Sequence, residues 1–215
     1  MARACLVDVW DTILETDFED RLTALTAYAG VDTATFLAEW LITRTDRDRG
    51  KLSTASSFER TLRGCGIDPM PELVSDLVRK DAELARKHVR LFGDTVPFLT
   101  ELRSRGVLIA LVSNCGDTTR PLLEELGVIP LADSVILSCE VGSAKPSPEI
   151  YVSALEDLGV AATDAVMIDD QPGFCVGAKA VGVRAIQIVR RDLDGQVPKP
   201  AFPVIHSLLD AQRYL

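Results

Sequence analysis

The chain has 215 residues, of which 47% are hydrophobic and 26% are charged, and its formal net charge is −9. This is the composition of a globular protein with one domain, or with a core domain that carries a smaller inserted one. The negative charge argues against a nucleic-acid binder, which needs a concentrated basic surface, but not against a small anionic substrate.

The predicted elements begin with a short apolar strand at residues 4–9. Residues 15–89 then carry apolar side chains at helical spacing, and glycines and prolines divide this stretch into roughly four helices. From residue 95 onward, predicted helices alternate with short apolar runs. These runs are residues 107–112, 134–137, 165–168 and 184–189. The alternation predicts βαβ units and a parallel sheet that is covered on both faces.

None of the apolar runs is long enough to cross a membrane. The longest, residues 107–112, is far shorter than the about 20 residues that a transmembrane helix needs. The N-terminal apolar stretch is interrupted at once by Asp8, which is unlike a signal peptide. We therefore expect a cytoplasmic protein without a membrane or nucleic-acid partner, and no pattern in the sequence indicates its oligomeric state.

Polar side chains follow the predicted strands at the sheet edge where ligands bind in folds of this kind. In chain order they are Asp8, Asp11, Thr12, Ser113, Asn114, Lys145, Asp169 and Asp170. A group of carboxylates with an ammonium nearby suits a hard cation and a phosphoryl group. The sequence therefore predicts a site for a small anionic substrate at this edge.

Four motifs resemble those of the haloacid dehalogenase-like hydrolases. They are Leu6-Val7-Asp8-x-Trp10-x-Thr12, Leu111-Val112-Ser113-Asn114, Lys145-Pro146-x-Pro148-x-Ile150-Tyr151, and Ile168-Asp169-Asp170 followed by Gly177-Ala178-x-Ala180-x-Gly182. Their order and spacing agree with the family and span nearly the whole chain. The resemblance implies an α/β fold, with a three-layer, Rossmann-like parallel-sheet core at residues 1–14 and 90–215. It also implies an inserted α-helical cap at residues 15–89.

The resemblance implies a catalytic role for three side chains. Asp8 would be the nucleophile that forms an aspartyl-enzyme intermediate, with Ser113 and Lys145 as its catalytic partners. A carboxylate nucleophile divides one difficult step into two easier ones. Thr12 and Asn114 would bind the substrate, which we expect to be a small phosphorylated compound.

A Mg²⁺ site is also implied by the resemblance. Its ligands would be Asp8, the backbone carbonyl of Trp10, and Asp170, with Asp169 adjacent. Mg²⁺ at this position would neutralise charge between the nucleophile and a phosphate.

Trp10 departs from the pattern of most phosphatases in the family, which carry an aspartate there as general acid and base. An indole cannot donate a proton to an alkoxide, and general acid–base help is worth about 10²–10⁴-fold in rate. One interpretation is a substrate with a good leaving group, such as an anhydride or an acyl phosphate. In a variant of it, Asp11 supplies the proton, although adjacent side chains diverge.

Two other interpretations stay open. The chain could be a 2-haloacid dehalogenase, whose motif has an aromatic residue at the position of Trp10. Those enzymes need no metal, however, and they lack the paired acids that Asp169 and Asp170 supply here. They also place an arginine after a tryptophan that resembles Trp40, whereas this chain has Leu41. Alternatively, the chain could be a binding protein that has lost catalysis.

A basic stretch lies within the predicted cap of this acidic chain. It contains Arg44, Arg47, Arg49, Lys51, Arg60 and Arg63. We expect most of this stretch to be a solvated face of the protein. One or two of its side chains could reach an anionic substrate from the cap.

Overall fold

The computed structural model describes residues 2–190 and 202–215, so residues 191–201 of the predicted core lie outside the described residues. One sheet contains β1 (Ala4–Val7), β4 (Leu108–Ser113), β5 (Ser134–Leu137), β6 (Ala165–Asp169), β7 (Arg184–Ile188) and β8 (Val204–Ile205). The strand order is β5-β4-β1-β6-β7-β8, and each of these pairings is parallel. The predicted parallel sheet is confirmed, and β1 lies between β4 and β6.

Helices cover both faces of this sheet, which gives the predicted three layers of an α/β fold. They are α6 (Thr95–Ser104), α7 (Thr119–Glu125), α8 (Ser138–Val141), α9 (Pro148–Leu158) and α10 (Pro172–Ala180). Side chains of β1 alternate between the faces, so that Cys5 and Val7 belong to one apolar cluster and Ala4 and Leu6 to another. Helix α6 packs in the first cluster, and α9 and α10 pack in the second.

The segment between β1 and α6 forms five helices and a two-stranded ribbon. The helices are α1 (Phe18–Ala29), α2 (Thr33–Ile42), α3 (Arg44–Asp48), α4 (Thr54–Gly64) and α5 (Pro71–His88). The ribbon pairs β2 (Leu14–Thr16) with β3 (Val89–Leu91) in antiparallel fashion at the two ends of the helical segment. The helices bury an apolar cluster of their own, which includes Phe36, Phe58 and Leu77. Neither α5, the longest of them, nor any other helix in the described residues could cross a bilayer.

Residues 15–89, called the cap segment below, contain one helix more than predicted. The pattern predicts roughly four helices, but Thr43 separates α2 from an additional short helix, α3. The N–H and the hydroxyl of Thr43 both donate to the carbonyl of Trp40, at 3.2 and 2.8 Å, which ends α2. The division of the chain into a core and a cap at residues 14 and 90 stays a prediction.

Candidate active site

Asp8 lies directly after β1, and its backbone continues the pairing with β6 through a 2.9 Å hydrogen bond to the carbonyl of Ile168. Its side chain is buried. The hydroxyl of Thr12 donates to Oδ2 of Asp8 at 3.1 Å, and the ammonium of Lys145 donates to Oδ1 at 2.5 Å. Both carboxylate oxygens are therefore held in place by donors from different parts of the chain.

Lys145 is the positive centre of this cluster, and its side chain is fully buried. Besides Asp8, its Nζ donates to Oδ2 of Asp169 at 2.7 Å and to the carbonyl of Val112 at 3.0 Å. Burial alone would lower the pKa of Lys145, but the charges of Asp8 and Asp169 outweigh burial and raise it. The side chain is therefore an ammonium group at neutral pH.

The backbone of Lys145 is clamped by Asn114. The N–H of Lys145 donates to Oδ1 of Asn114 at 2.7 Å, and Nδ2 of Asn114 donates to the carbonyl of Lys145 at 2.8 Å. The structure thus gives Asn114 the task of positioning Lys145, while its predicted contact with the substrate stays a prediction.

Asp169 ends β6, and Asp170 follows it. Gln171 holds both carboxylates. Its backbone N–H donates to Oδ1 of Asp169 at 2.9 Å, and its side-chain amide donates to Oδ2 of Asp170 at 2.6 Å. Burial, and then the charge of Asp8, raises the pKa of both carboxyl groups, that of Asp170 to about 6. Both side chains would thus be stabilised in their ionised form by additional positive charge.

The carboxylates of Asp8, Asp169 and Asp170 form a donor set that fits a divalent cation. One oxygen of each lies within 4.8 Å of the others. Carboxylate oxygens are the ligands that Mg²⁺ prefers, and Mg²⁺ usually takes one or two of them. Three carboxylates and one ammonium also leave an excess of negative charge that a cation would balance. Ligation by these residues and by the Trp10 carbonyl stays a prediction.

Ser113 is the last residue of β4 and is fully buried. Because Leu111 of β4 lies opposite Val7 of β1, Ser113 reaches the same edge of the sheet as Asp8. Its hydroxyl is 3.5 Å from the carbonyl of Asn114, which is a long contact. The catalytic role implied for Ser113 stays a prediction.

The third and fourth motifs pack on each other behind Lys145. A Cβ on Gly177 of α10 would lie 2.7 Å from the hydroxyl of Tyr151 and 2.8 Å from the carbonyl of Pro146, so a larger side chain would push the two motifs apart. Tyr151 also donates to the carbonyl of Phe174 at 2.8 Å. These contacts fix the loop that carries Lys145 against the helix that follows Asp170.

A cavity of about 650 Å³ lies between the cap segment and the loops that follow β1 and β4. Its lining begins at Trp10, two residues after Asp8, and includes Asp11 and Cys115 on one side and Trp40 and Arg47 on the other. Asp11 has a φ of 54° and is exposed. The left-handed backbone at Asp11 turns the chain, so that both Trp10 and Asp11 line the cavity despite being adjacent.

Sequence reasoning missed the pair Arg190 and Asp94. Arg190 donates to the carbonyl of Thr12 through Nε at 3.1 Å and through Nη2 at 2.6 Å, and it forms an ion pair with Asp94 at 2.7 Å. Asp94 also accepts hydrogen bonds from Ser207 and from the N–H of Leu208. The network fixes the loop that carries Thr12. The one signal in the sequence is the position of Arg190, which follows directly after the last predicted strand.

Comparisons with known proteins agree with this architecture. In sequence, the chain is 28% identical over 223 residues to a glyceraldehyde 3-phosphate phosphatase from Methanopyrus kandleri, a match that covers 100% of this chain and 96% of that protein. The solved structure of a HAD phosphatase from Thermococcus onnurineus has a TM-score of 0.71 at 26% identity, and the match covers 99% of this chain and 97% of that one. A 2-haloacid dehalogenase from Pseudomonas syringae pv. Tomato DC3000 has a TM-score of 0.76 at 20% identity, with coverage of 99% and 97%. This last likeness concerns the fold alone.

The model of the haloacid dehalogenase-like hydrolase family matches residues 2–182, a range that contains all four sequence motifs. It includes Asp8, Lys145 and Asp169, which the structure joins through direct contacts. The chain therefore belongs to the haloacid dehalogenase-like hydrolases.

Proposed function

We propose that this hydrolase is a Mg²⁺-dependent phosphatase that transfers the phosphoryl group of a small substrate first to Asp8 and then to water. The observation that carries the proposal is the buried cluster in which Lys145 contacts Asp8 and Asp169 while Asp170 lies within reach of the same cation. The phosphatase relative that matches over 96% of its length supports the same reaction class.

The first step is attack by a carboxylate oxygen of Asp8 on phosphorus. The bond between phosphorus and the leaving oxygen breaks, and an aspartyl phosphate forms on Asp8. In the second step water attacks phosphorus, and the bond between phosphorus and the Asp8 oxygen breaks. The attacking water loses a proton to the solvent, inorganic phosphate leaves, and the carboxylate is restored. Lys145 keeps its proton throughout and offsets the negative charge of Asp8, while the hydroxyls of Thr12 and Ser113 would hold phosphate oxygens.

The residues that would hold Mg²⁺ are Asp8, Asp170 and the carbonyl of Trp10, with Asp169 adjacent. The excess of negative charge in the cluster would repel a phosphate dianion. Mg²⁺ held by these residues would offset that charge and so allow a phosphate to approach Asp8. This requirement distinguishes the proposal from a dehalogenase, which needs no metal.

Trp10 sets the substrate class. The indole cannot protonate a leaving alkoxide, a contribution worth about 10²–10⁴-fold. The proposal therefore favours acyl phosphates and aryl phosphates, whose leaving groups depart without a proton. Asp11 lines the same cavity as Trp10 and is the alternative proton source. If it served in this way, Asp11→Asn would slow the hydrolysis of alkyl phosphates more than that of acetyl phosphate.

The test is phosphate release from acetyl phosphate and 4-nitrophenyl phosphate in Mg²⁺ and in EDTA. We expect release by the wild-type protein only in Mg²⁺, and background rates for Asp8→Asn. Asp157→Asn, a change at an exposed carboxylate of α9, is the matched control and should retain activity. Halide release from 2-chloropropionate in EDTA would favour the dehalogenase interpretation instead. Release of neither product would favour a binding protein.

A further inference from the structure

The cavity beside the candidate site contains an unusual arrangement of arginines. Among the described residues, four arginines line it, and all four belong to the cap segment. Three of them form ion pairs with carboxylates, namely Arg21 with Asp81 at 2.9 Å, Arg44 with Asp48 at 3.6 Å and Arg86 with Glu125 at 2.7 Å. The fourth is Arg47, which has no carboxylate within 4.0 Å among residues 2–190 and 202–215.

Arg47 is nevertheless the most buried of these four, with 9% of its surface exposed. Its guanidinium carbon lies 3.6 Å from the centroid of the Trp40 ring. Nη1 donates to the carbonyl of Trp40 at 3.0 Å and to the hydroxyl of Thr43 at 2.6 Å. These contacts fix the plane and the position of the guanidinium group.

The remaining donors of Arg47 are not used by the described part of the chain. Nε and Nη2 make no hydrogen bond to any described residue, and they are not among the fully enclosed side-chain atoms that lack a partner. Both nitrogens therefore keep some exposed surface, and the residue that carries them lines the cavity. Stacking on Trp40 and the two hydrogen bonds of Nη1 account for a structural role of Arg47. They do not explain why Nε and Nη2 lack a partner among the described residues.

A buried cation without a carboxylate in direct contact is unfavourable. Burial lowers the pKa of Arg47 to about 10, and the nearby charges of Asp48 and Asp81 only partly oppose this. The group remains protonated at neutral pH. An anion that entered the cavity would pair with this charge in a partly water-excluded setting, where charge-assisted hydrogen bonds are strong.

We propose that Arg47 is a specificity-determining residue that binds a second anionic group of the substrate, either a carboxylate or a second phosphate. The parallel N–H groups of Nε and Nη2 match the paired oxygens of both groups. Phe36 stacks on Trp40 with ring centroids 6.2 Å apart and extends the apolar wall beside the guanidinium. The inference rests on the proposed phosphatase function for the end of the substrate that reacts.

The kinetic test compares phenyl phosphate, 4-carboxyphenyl phosphate and 1,4-phenylene bisphosphate as substrates. The wild-type protein should favour one of the doubly anionic compounds, and the preferred compound tells a carboxylate from a phosphate. In Arg47→Met, kcat/KM for that compound should fall about 10- to 100-fold, mainly through KM, with less than about a threefold change for phenyl phosphate. Dividing kcat/KM of the wild type by that of the variant, for each substrate separately, removes the effect of the different leaving groups on the rate.

Arg44→Met is the matched control, because Arg44 lies on the same helix and lines the same cavity but is already paired with Asp48. It should leave the substrate preference unchanged. Arg47→Lys keeps the charge but loses the paired donors, and it should show an intermediate preference even if Arg47→Met folds poorly. An equal loss for all three substrates in both Arg47 variants, or no preference in the wild type, would overturn the proposal.

A binding measurement separates this inference from the proposed function. Phenylphosphonate and 4-carboxyphenylphosphonate, with the corresponding bisphosphonate, can be titrated calorimetrically in Mg²⁺ without turnover. We expect the doubly anionic ligand to bind at least about tenfold more tightly than phenylphosphonate to the wild-type protein, but not to Arg47→Met. If no compound is hydrolysed but this difference is found, the proposed function fails while the inference stands. Hydrolysis without any such difference would support the proposed function and refute the role of Arg47.

Discussion

Replacing Lys145 with methionine tests the electrostatic balance of the site. The ammonium lies 2.5 Å from Asp8 and 2.7 Å from Asp169 in a fully buried position. Methionine keeps much of the apolar stem, but the carboxylates lose their counter-charge. Removing one partner of a buried ion pair costs about 3–5 kcal/mol, because the other charge stays buried and uncompensated. We expect the free energy of unfolding of Lys145→Met to fall by about this amount near neutral pH.

The loss should depend on pH, since protons can neutralise the carboxylates. Burial, and then the charge of Asp8, already raises the pKa of Asp169 in the presence of Lys145, and removal of the ammonium would raise it further. A carboxyl group whose pKa is higher in the folded state binds more protons there, so stability falls as pH rises between its folded and unfolded values. The deficit of Lys145→Met should therefore be smaller at about pH 5 than at about pH 8.

The assay is urea unfolding in EDTA, followed by tryptophan fluorescence and circular dichroism at both pH values. Lys51→Met, at an exposed lysine of the cap segment, is the control and should change the free energy of unfolding by less than about 0.5 kcal/mol. Lys145→Met combined with Asp169→Asn should recover part of the deficit, since one uncompensated charge is removed. A deficit below about 1 kcal/mol, or an equal deficit at both pH values, would refute the reasoning.

Two further perturbations address the metal site and the loop that carries Thr12. A Mg²⁺ concentration about 100-fold above Kd should raise the Tm of the wild-type protein by about 5–10 °C. In Asp170→Asn, most of this shift should be lost. If thermal melts show the same shift in the variant, Asp170 is not a ligand. Burial alone would raise the pKa of Asp94, but hydrogen bonds from Arg190, Ser207 and Leu208 outweigh burial and lower it. A carboxyl group with a lowered folded-state pKa stabilises the protein above its unfolded pKa, and this stability is lost as pH falls through the folded value. Asp94→Asn should therefore be less stable than the wild type at about pH 7 by about 1–3 kcal/mol, and melts in progressively more acidic buffer should show the two converging; a constant difference down to about pH 2 would contradict this.

The meeting of Asp8, Lys145 and Asp169 follows from topology. Parallel strands point their carboxyl ends toward one edge, so polar residues that follow separate apolar runs converge there. Asp8 follows β1 and Asp169 ends the neighbouring β6. Their proximity can therefore be predicted from the sequence once the strands are recognised. The position of Lys145 is less direct, because a short helix and a loop separate it from β5, and the motif resemblance supplies what the strand pattern does not.

Contacts between distant side chains and backbone atoms are much harder to predict. Arg190 and Thr12 are 178 residues apart, and neither residue type indicates that the guanidinium donates to that carbonyl. Arg47 is similar. In the sequence it is one cation within a basic stretch, and such stretches are usually solvated. Its burial depends on the turn at Thr43 and on contact with the Trp40 ring, and both form only when α2 and α3 pack together.

Under the proposed function and the inference on Arg47, Trp10 and Arg47 would place two requirements on the same substrate, because both line one cavity. Without an aspartate at the position of Trp10, the site would lack the proton donor that alkyl phosphates need and would favour a leaving group that departs as a stable anion. Arg47 would bind a further anion at the other side of the cavity. A compound that satisfies both is an acyl or aryl phosphate whose leaving portion carries a further carboxylate or phosphate. Binding energy from that second anion would also orient the phosphoryl group toward Asp8, so the arginine would offset part of the rate that the missing acid would otherwise supply.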